Sequence, residues 1–220
     1  MLIVLDLDDT IYLERDYVRS GFKAVGDWLE THRSFFNFFD EAWALFEEGE
    51  RRTIFNKILA PKGLYDDGLI KELVNVYRTH NPSIFLQSDA EDFLQKYPRD
   101  TLALITDGPS ASQWAKIKVL RIEKYIGKIV VTDDLGPEYG KPNPEAFLSV
   151  QGALPGAACI YIADNPGKDF DAPARLGWEP SIRIRRTGSL HYDVPTPEGC
   201  REAASFEEAI ICESLDGQKS

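Results

Sequence analysis

The chain of 220 residues has few of the residues that build disulfide frameworks or soft-metal sites: three cysteines, three histidines and one methionine. The cysteines are odd in number and far apart, which excludes a disulfide framework and a CxxC metal site. The histidines lack the spacing of a zinc site. No run of apolar residues approaches the length of about 18 that a transmembrane helix needs. With no basic leader before the first apolar run, we expect a reducing cytoplasm to be the location.

Basic residues are also in short supply. Lysine and arginine number 25 against 36 acidic residues, so the net charge is −11. This balance argues against nucleic-acid binding through a broad basic face. It leaves phosphate substrates open, because a bound divalent cation can reverse the local field in a cleft. We therefore expect no nucleic-acid and no membrane partner.

Short apolar runs rich in valine, isoleucine and leucine are typical of buried parallel strands. From the second run onward they alternate with helical stretches at Ser110–Leu120, Pro144–Val150 and Asp169–Leu176. This alternation predicts an α/β fold with a parallel sheet that is covered on both faces. The predicted strands are Leu2–Asp6, Leu102–Thr106, Ile129–Thr132, Cys159–Ala163 and Ile182–Arg185.

The segment after the first strand breaks the alternation. Residues 12–83 contain four amphipathic helical stretches and no convincing strand. We predict that 12–83 is a helical insertion that caps the active edge of the sheet, whereas 1–11 and 84–220 form the core. Pro82 fits the return hinge. The tail after Arg186 has little pattern beyond one short helix at 205–212.

Two aspartates follow the first predicted strand. Asp6 and Asp8 would point to the same face if the strand geometry continued. Two carboxylates that close cannot both ionise cheaply without a cation, and Mg²⁺ would relieve their repulsion. The functional interpretation makes Asp6 a nucleophile and Asp8 the general acid for the leaving group, then the base for water. The alternative is a turn with solvated acids.

Polar residues also follow the second strand. Thr106 offers a hydroxyl, and the backbone amides around Asp107 and Gly108 can hold phosphate oxygens. Gly108 lets the backbone come close to such a ligand. The alternative is an ordinary strand-to-helix turn.

Three further charged residues lie in loops of the second half. Lys141, framed by Gly140 and Pro142, can reach an anion as a point charge. Asp164 would bind the metal directly, and Asp169 would orient metal-bound water or Lys141. For Asp169 the alternative is an acid at a helix N-terminus. We interpret Lys168 and the three arginines 183, 185 and 186 as solvated charges.

Taken together, these residues resemble the haloacid dehalogenase superfamily of hydrolases. Its first motif, DxDxT, is met by Asp6, Asp8 and Thr10, and its second, a Ser or Thr after a strand, by Thr106. Its third motif, a Lys that often precedes Pro, is met by Lys141. Its fourth, an acidic pair after a strand, is met by Asp164 and Asp169. One departure is Ala163, where many members have glycine.

The resemblance implies a Rossmann-like sheet of order 5-4-1-2-3 and a mobile helical cap of the C1 type. It also implies that Mg²⁺ is held by the Asp6 carboxylate, the Asp8 backbone carbonyl and Asp164, with Thr10 and Asp169 supporting these ligands. Members that dehalogenate lack the second aspartate, so Asp8 favours phosphate chemistry.

We therefore predict a phosphoric monoester hydrolase that uses Mg²⁺ and an aspartyl phosphate on Asp6. The expected substrate is a small phosphorylated metabolite, such as a sugar phosphate or a nucleoside monophosphate. A phosphotransferase or mutase with the same intermediate is one alternative, and a metal-dependent binding module without turnover is another. The oligomeric state, monomer or dimer, stays open.

Overall fold

The computed structural model describes residues 1–209 of the chain. Within these residues six strands form one sheet of order β3-β2-β1-β4-β5-β6, and every neighbouring pair is parallel. The strands are β1 (Leu2–Leu5), β2 (Leu102–Thr106), β3 (Lys128–Val131), β4 (Cys159–Ala163), β5 (Glu179–Ile184) and β6 (Arg201–Ala203).

The predicted Rossmann-like parallel sheet is confirmed. Read from the β5 side, the first five strands follow the predicted order 5-4-1-2-3, and the difference is a sixth strand beside β5. Because β6 has only three residues, with a burial pattern that includes an exposed position, it lacks the apolar run from which a strand can be predicted.

Eight α-helices lie among the described residues. Two of them bear on the site below: α5, which was not predicted, and α6, which was. The helices are α1 (Glu14–Arg33), α2 (Phe38–Glu47), α3 (Ile54–Leu59), α4 (Asp67–Thr79), α5 (Ser88–Lys96), α6 (Ser110–Val119), α7 (Glu145–Gln151) and α8 (Asp171–Arg175). A further turn of helix covers 206–209, inside the predicted 205–212 helix, whose remainder lies outside the described residues. None of the helices found in residues 1–209 is long and apolar enough to cross a membrane.

The chain divides into two compact units, Asp16–Ser83 and the remainder on either side of it. The inserted unit is helical and has its own aromatic core. There Phe22 makes edge-to-face ring contacts with Phe46 and Phe55, at centroid distances of 6.2 and 6.3 Å. Such pairs add stability beyond the apolar area that they bury. Phe46, from the stretch 35–46 that is rich in aromatic residues, therefore contributes its ring to the core of this unit.

The sheet of the larger unit is buried along its centre. All four residues of β1 and all five residues of both β2 and β4 are buried. This accounts for their continuous apolar sequences, since a parallel strand covered on both faces has no solvent-facing side. The loops that follow these three strands carry the candidate site.

Candidate active site

Three buried aspartates converge where β1 and β4 end. β1 and β4 are neighbours with Leu5 opposite Ile162, so Asp6 and Asp164, which directly follow these strands, leave the same edge of the sheet. Together with Asp169 they offer carboxylate oxygens that all lie within 4.8 Å of one another, and all three side chains are buried. Asp169 precedes α8, which begins at Asp171, so it is not a simple helix N-terminal acid.

Lys141 lies inside this cluster. Its Nζ atom is 2.5 Å from Asp6 Oδ1, 2.7 Å from Asp169 Oδ1 and 3.0 Å from the hydroxyl of Tyr161. The side chain is fully buried, and the Lys141–Pro142 peptide bond is cis. The surrounding carboxylates hold the pKa of Lys141 well above its ordinary value even though burial opposes this. Lys141 is therefore a charged interior group and not a solvated one.

The electrostatics of the cluster fit a divalent cation. Burial raises the pKa of Asp6 to about 6, and burial beside Asp6 and Asp169 raises that of Asp164 to about 10. Asp164 Oδ2 is buried and has no hydrogen-bond partner among the described residues. A buried carboxylate oxygen without a donor is costly, and oxygen-only ligand sets suit Mg²⁺. The residues present thus fit the metal that the sequence predicts.

Asp8 lies outside the cluster of three and has a different set of partners. Its Oδ1 atom accepts from Lys116 Nζ at 2.7 Å and from the Tyr12 hydroxyl, and its Oδ2 faces Gln113 Nε2 at 3.4 Å. Burial raises the pKa of this carboxyl, but Lys116 and Tyr12 outweigh it and hold the pKa below the ordinary value. In the substrate-free site Asp8 is therefore a carboxylate that these donors hold in place.

The loop after β2 is held by hydrogen bonds. The Thr106 hydroxyl donates to Gln113 Oε1 at 3.0 Å. The carboxylate of Asp107 accepts from the Thr132 hydroxyl at 2.7 Å and from the Lys141 amide at 3.1 Å. Gly108 has a φ of +132°, a conformation that favours glycine. The structure thus brings the second and third motifs together through Asp107.

The remaining predicted residues support these ones. The Thr10 hydroxyl donates to Asp6 Oδ2 at 3.3 Å, and Asp169 accepts from the Asn165 amide at 2.9 Å. Lys168, expected to be solvated, is about one-third exposed and pairs with Asp107 at 3.1 Å. Thr10 thus contacts Asp6, a predicted metal ligand, and Asp169 contacts Lys141.

Sequence reasoning missed several residues of the site. Lys116 and Gln113 lie on α6, and both are 3% exposed. The one signal in the sequence is that this helix lacks a clear apolar face. In the structure α6 accordingly buries Ser112, Gln113 and Lys116 along with Ile117. Asp9, with a φ of +55°, accepts from the amides of Glu14 at 2.8 Å and Leu190 at 2.7 Å.

The interpretation of the arginines 183 and 186 as solvated is wrong. Arg183 is 1% exposed and Arg186 is 9% exposed. Arg186 forms a two-pronged ion pair with Asp89 of α5, both contacts at 2.9 Å, and donates to the carbonyl of Thr10 at 3.3 Å. Arg183 donates to the carbonyl of Asp164 at 3.0 Å. The two arginines therefore support the backbone of the fourth and the first motif, respectively.

Buried carboxylates and a buried lysine gathered at the strand ends of a parallel α/β sheet are typical of an enzyme active site. The family model of haloacid dehalogenase-like hydrolases matches residues 1–177. The chain therefore belongs to this family of hydrolases, and the predicted membership is confirmed.

Two curated proteins similar to this chain are named glyceraldehyde 3-phosphate phosphatase. The one from Methanocaldococcus jannaschii is 26% identical over 226 aligned positions, which cover 89% of each chain. The one from Methanopyrus kandleri is 33% identical over 118 residues, 52% of this chain and 48% of that protein. Among solved structures, the magnesium-bound HAD-hydrolase YfnB from Bacillus subtilis has a TM-score of 0.65 at 19% identity, with 96% of this chain and 97% of that chain covered. At that identity the likeness shows the fold alone.

Proposed function

We propose that this protein is a Mg²⁺-dependent phosphatase that hydrolyses a small sugar phosphate through an aspartyl phosphate on Asp6. The observation that carries the proposal is the buried cluster of Asp6, Asp164 and Asp169 around Lys141, with one oxygen of Asp164 left without a donor. The substrate class is supported by the relatives that are named glyceraldehyde 3-phosphate phosphatase.

The metal would be held by the Asp6 carboxylate, the Asp8 backbone carbonyl and the Asp164 carboxylate. When bound, Mg²⁺ supplies positive charge that neutralises phosphate oxygens. Asp169 is engaged with Lys141 at 2.7 Å and with the Asn165 amide at 2.9 Å. It therefore fixes Lys141 and the loop that carries Asp164.

Asp6 begins the reaction in this proposal. A carboxylate oxygen of Asp6 attacks phosphorus in line, and the bond from phosphorus to the ester oxygen breaks. Lys141 and Thr106, with the backbone amides around Asp107 and Gly108, bind the phosphate oxygens, where most catalysis of phosphoryl transfer is found.

Asp8 moves the protons. Asp8 is a carboxylate in the free enzyme, so in this proposal it takes up a proton from solvent when the ester binds, because the negative charge of the phosphate favours the protonated form. It then gives that proton to the departing ester oxygen, so that an alcohol leaves. As a carboxylate it then takes a proton from water as water attacks the phosphorus of the aspartyl phosphate. Inorganic phosphate departs and the Asp6 carboxylate is restored.

We further propose that the helical insertion, 12–83 by the sequence pattern, acts as the cap that selects the substrate. Its support is its place in the chain, directly after the first motif, and its own compact core between Asp16 and Ser83. Exclusion of water by a closing element is a common way to protect such an intermediate.

The first experiment is inorganic phosphate release from a panel of phosphorylated sugars, nucleotides and small acids, with Mg²⁺ and with EDTA. Release from sugar phosphates that requires Mg²⁺ is the expected result. An isomerised product without free phosphate would favour the mutase. Metal-dependent binding with silence across the panel would favour the module without turnover.

Asp6→Asn tests the nucleophile. The amide cannot form an acyl phosphate, so we expect turnover to fall by several orders of magnitude while the fold persists. The measurement is phosphate release together with thermal unfolding. Turnover near that of the wild type would contradict the assignment of Asp6.

A further inference from the structure

Helix α6 carries two buried polar side chains to the residues that would handle the leaving group and the phosphate. Gln113 and Lys116 are three positions apart, so they lie on the same side of the helix, and each is 3% exposed. Burying an amide and an ammonium is costly unless both are well paired. The hydrogen-bond partners of the two side chains indicate which parts of the site they hold in place.

Lys116 reaches Asp8 from the interior. Its Nζ atom is 2.7 Å from Asp8 Oδ1, and its side chain is 4% exposed against 19% for that of Asp8. The carboxylate is thus the more accessible member of the pair, and the ammonium lies behind it.

Gln113 joins Asp8 to the loop after β2. Its Oε1 atom accepts from the Thr106 hydroxyl at 3.0 Å, and its Nε2 donates to the Asp107 carbonyl at 2.9 Å and faces Asp8 Oδ2 at 3.4 Å. One amide therefore fixes the distance between the carboxylate of the first motif and the hydroxyl of the second.

Gly108 gives independent support for this arrangement. A Cβ atom at this position would lie 2.5 Å from Gln113 Nε2, a distance at which one of the two groups must move. The glycine makes room for the amide as well as adopting its positive φ. The loop backbone is thus shaped around Gln113.

We infer that Lys116 is a positioning residue that holds the Asp8 carboxyl group where it can protonate the leaving group, with Gln113 as its link to Thr106. The inference rests on the proposed phosphatase function. A general acid must stay within hydrogen-bond reach of the departing oxygen, and errors of about 1 Å in such a group can cost a hundredfold in rate. A rigid ion pair on a helix limits the rotation of the Asp8 side chain.

Leaving-group dependence separates this role from general support of the fold. An alkyl phosphate such as glyceraldehyde 3-phosphate releases a poor leaving group that needs a proton. p-Nitrophenyl phosphate releases a stable phenolate that departs without one. Loss of an oriented acid therefore slows the alkyl ester selectively, whereas general damage to the site slows both esters alike.

The experiment compares Lys116→Met with Lys118→Met, which removes an exposed lysine of the same helix. We expect Lys116→Met to lower kcat/KM for glyceraldehyde 3-phosphate by about a hundredfold or more, and for p-nitrophenyl phosphate by less than about tenfold. Lys118→Met should match the wild type on both, and Lys116→Arg should recover part of the selective loss. An equal loss on both esters in Lys116→Met would overturn the inference.

A second variant keeps the test decisive if Lys116→Met does not fold. Tyr12→Phe removes the other donor to the same carboxylate oxygen and leaves the ion pair in place. It should show the same selectivity for the alkyl ester at smaller size, and an equal loss on both esters would count against the inference. If the wild type releases no phosphate from either ester, the proposed function fails and the inference fails with it.

Discussion

The two aspartates of the first motif each meet a buried lysine, but the two pairs differ in their surroundings. Lys141 contacts two carboxylates and a hydroxyl in a fully buried cluster. Lys116 contacts Asp8, whose side chain is 19% exposed and also has Tyr12 and Gln113 as donors. The Lys141 cluster therefore depends on one buried ammonium that offsets part of the negative charge of the carboxylates around it. In the proposal the Lys116 pair orients Asp8, so two ion pairs of the same kind would serve different physical roles in one site.

The largest expected difference concerns stability. Lys141→Met leaves Asp6 and Asp169 buried without their cation, and breaking such a pair costs about 3–5 kcal/mol. Lys116→Met leaves a carboxylate that water and two neutral donors still reach, so its cost should be less than about half of that. Urea unfolding in EDTA measures both free energies. Equal losses would contradict the comparison.

Magnesium should separate the two aspartate environments further. In the proposal Asp164 binds the metal with its side chain, whereas Asp8 uses only its backbone carbonyl. We expect Mg²⁺ to raise the unfolding temperature of the wild type. Asp164→Asn should abolish this rise, and Asp8→Asn should retain it. Loss of the Mg²⁺ effect in both variants would show that the Asp8 side chain also bears on the metal.

The raised pKa of Asp164 gives this metal site a pH dependence. Burial raises this pKa from 3.8 to about 10. At neutral pH the Asp164 side chain therefore carries a proton in the metal-free folded protein but not in the unfolded chain. The contribution of this group is complete below pH 3.8 and is lost as pH rises toward 10. In EDTA the contribution of Asp164 to the free energy of unfolding should thus decrease as pH rises from 3.8 toward 10.

Mg²⁺ should displace that proton. Calorimetric titration in buffers of different ionisation enthalpy should find the release of about one proton per ion at neutral pH, because ligands must be deprotonated. No proton release, or stability in EDTA that is flat with pH, would count against a protonated Asp164.

The smallest expected effect is that of Gly108→Ala. Strain at a φ of +132° and contact with Gln113 should cost about 1–3 kcal/mol. Because Gln113 belongs to the Asp8 side of the site, the change should lower activity and leave Mg²⁺ affinity within about twofold of the wild type. Urea unfolding and Mg²⁺ titration give the two readouts. A large loss of Mg²⁺ affinity would show that the two environments are not independent.

The comparison of the two lysines also shows which parts of the site a sequence can reveal. Lys141 could be predicted because glycine and proline mark its loop, and Asp6 and Asp164 because each follows an apolar run that forms a buried strand. Lys116 could not be predicted, because a lysine within a helix is normally solvated and the neighbouring sequence does not indicate which residues the helix packs against. The burial of Arg183 and the short strand β6 likewise depend on tertiary contacts that leave no periodic pattern.

Arg183 holds the surface segment that follows β5 through hydrogen bonds. This buried side chain donates to the carbonyl of Asp164 at 3.0 Å and to those of His191 and Val194 at 2.7 and 2.5 Å, while the Leu190 amide donates to Asp9 at 2.7 Å. Residues 192–195 are exposed, as in a loop that frays on its own. Local unfolding of this loop, however, has to break bonds that link it to Asp9 and, through Arg183, to Asp164. We therefore expect its protection against proteolysis and hydrogen exchange to follow the stability of the loops that carry Asp9 and Asp164.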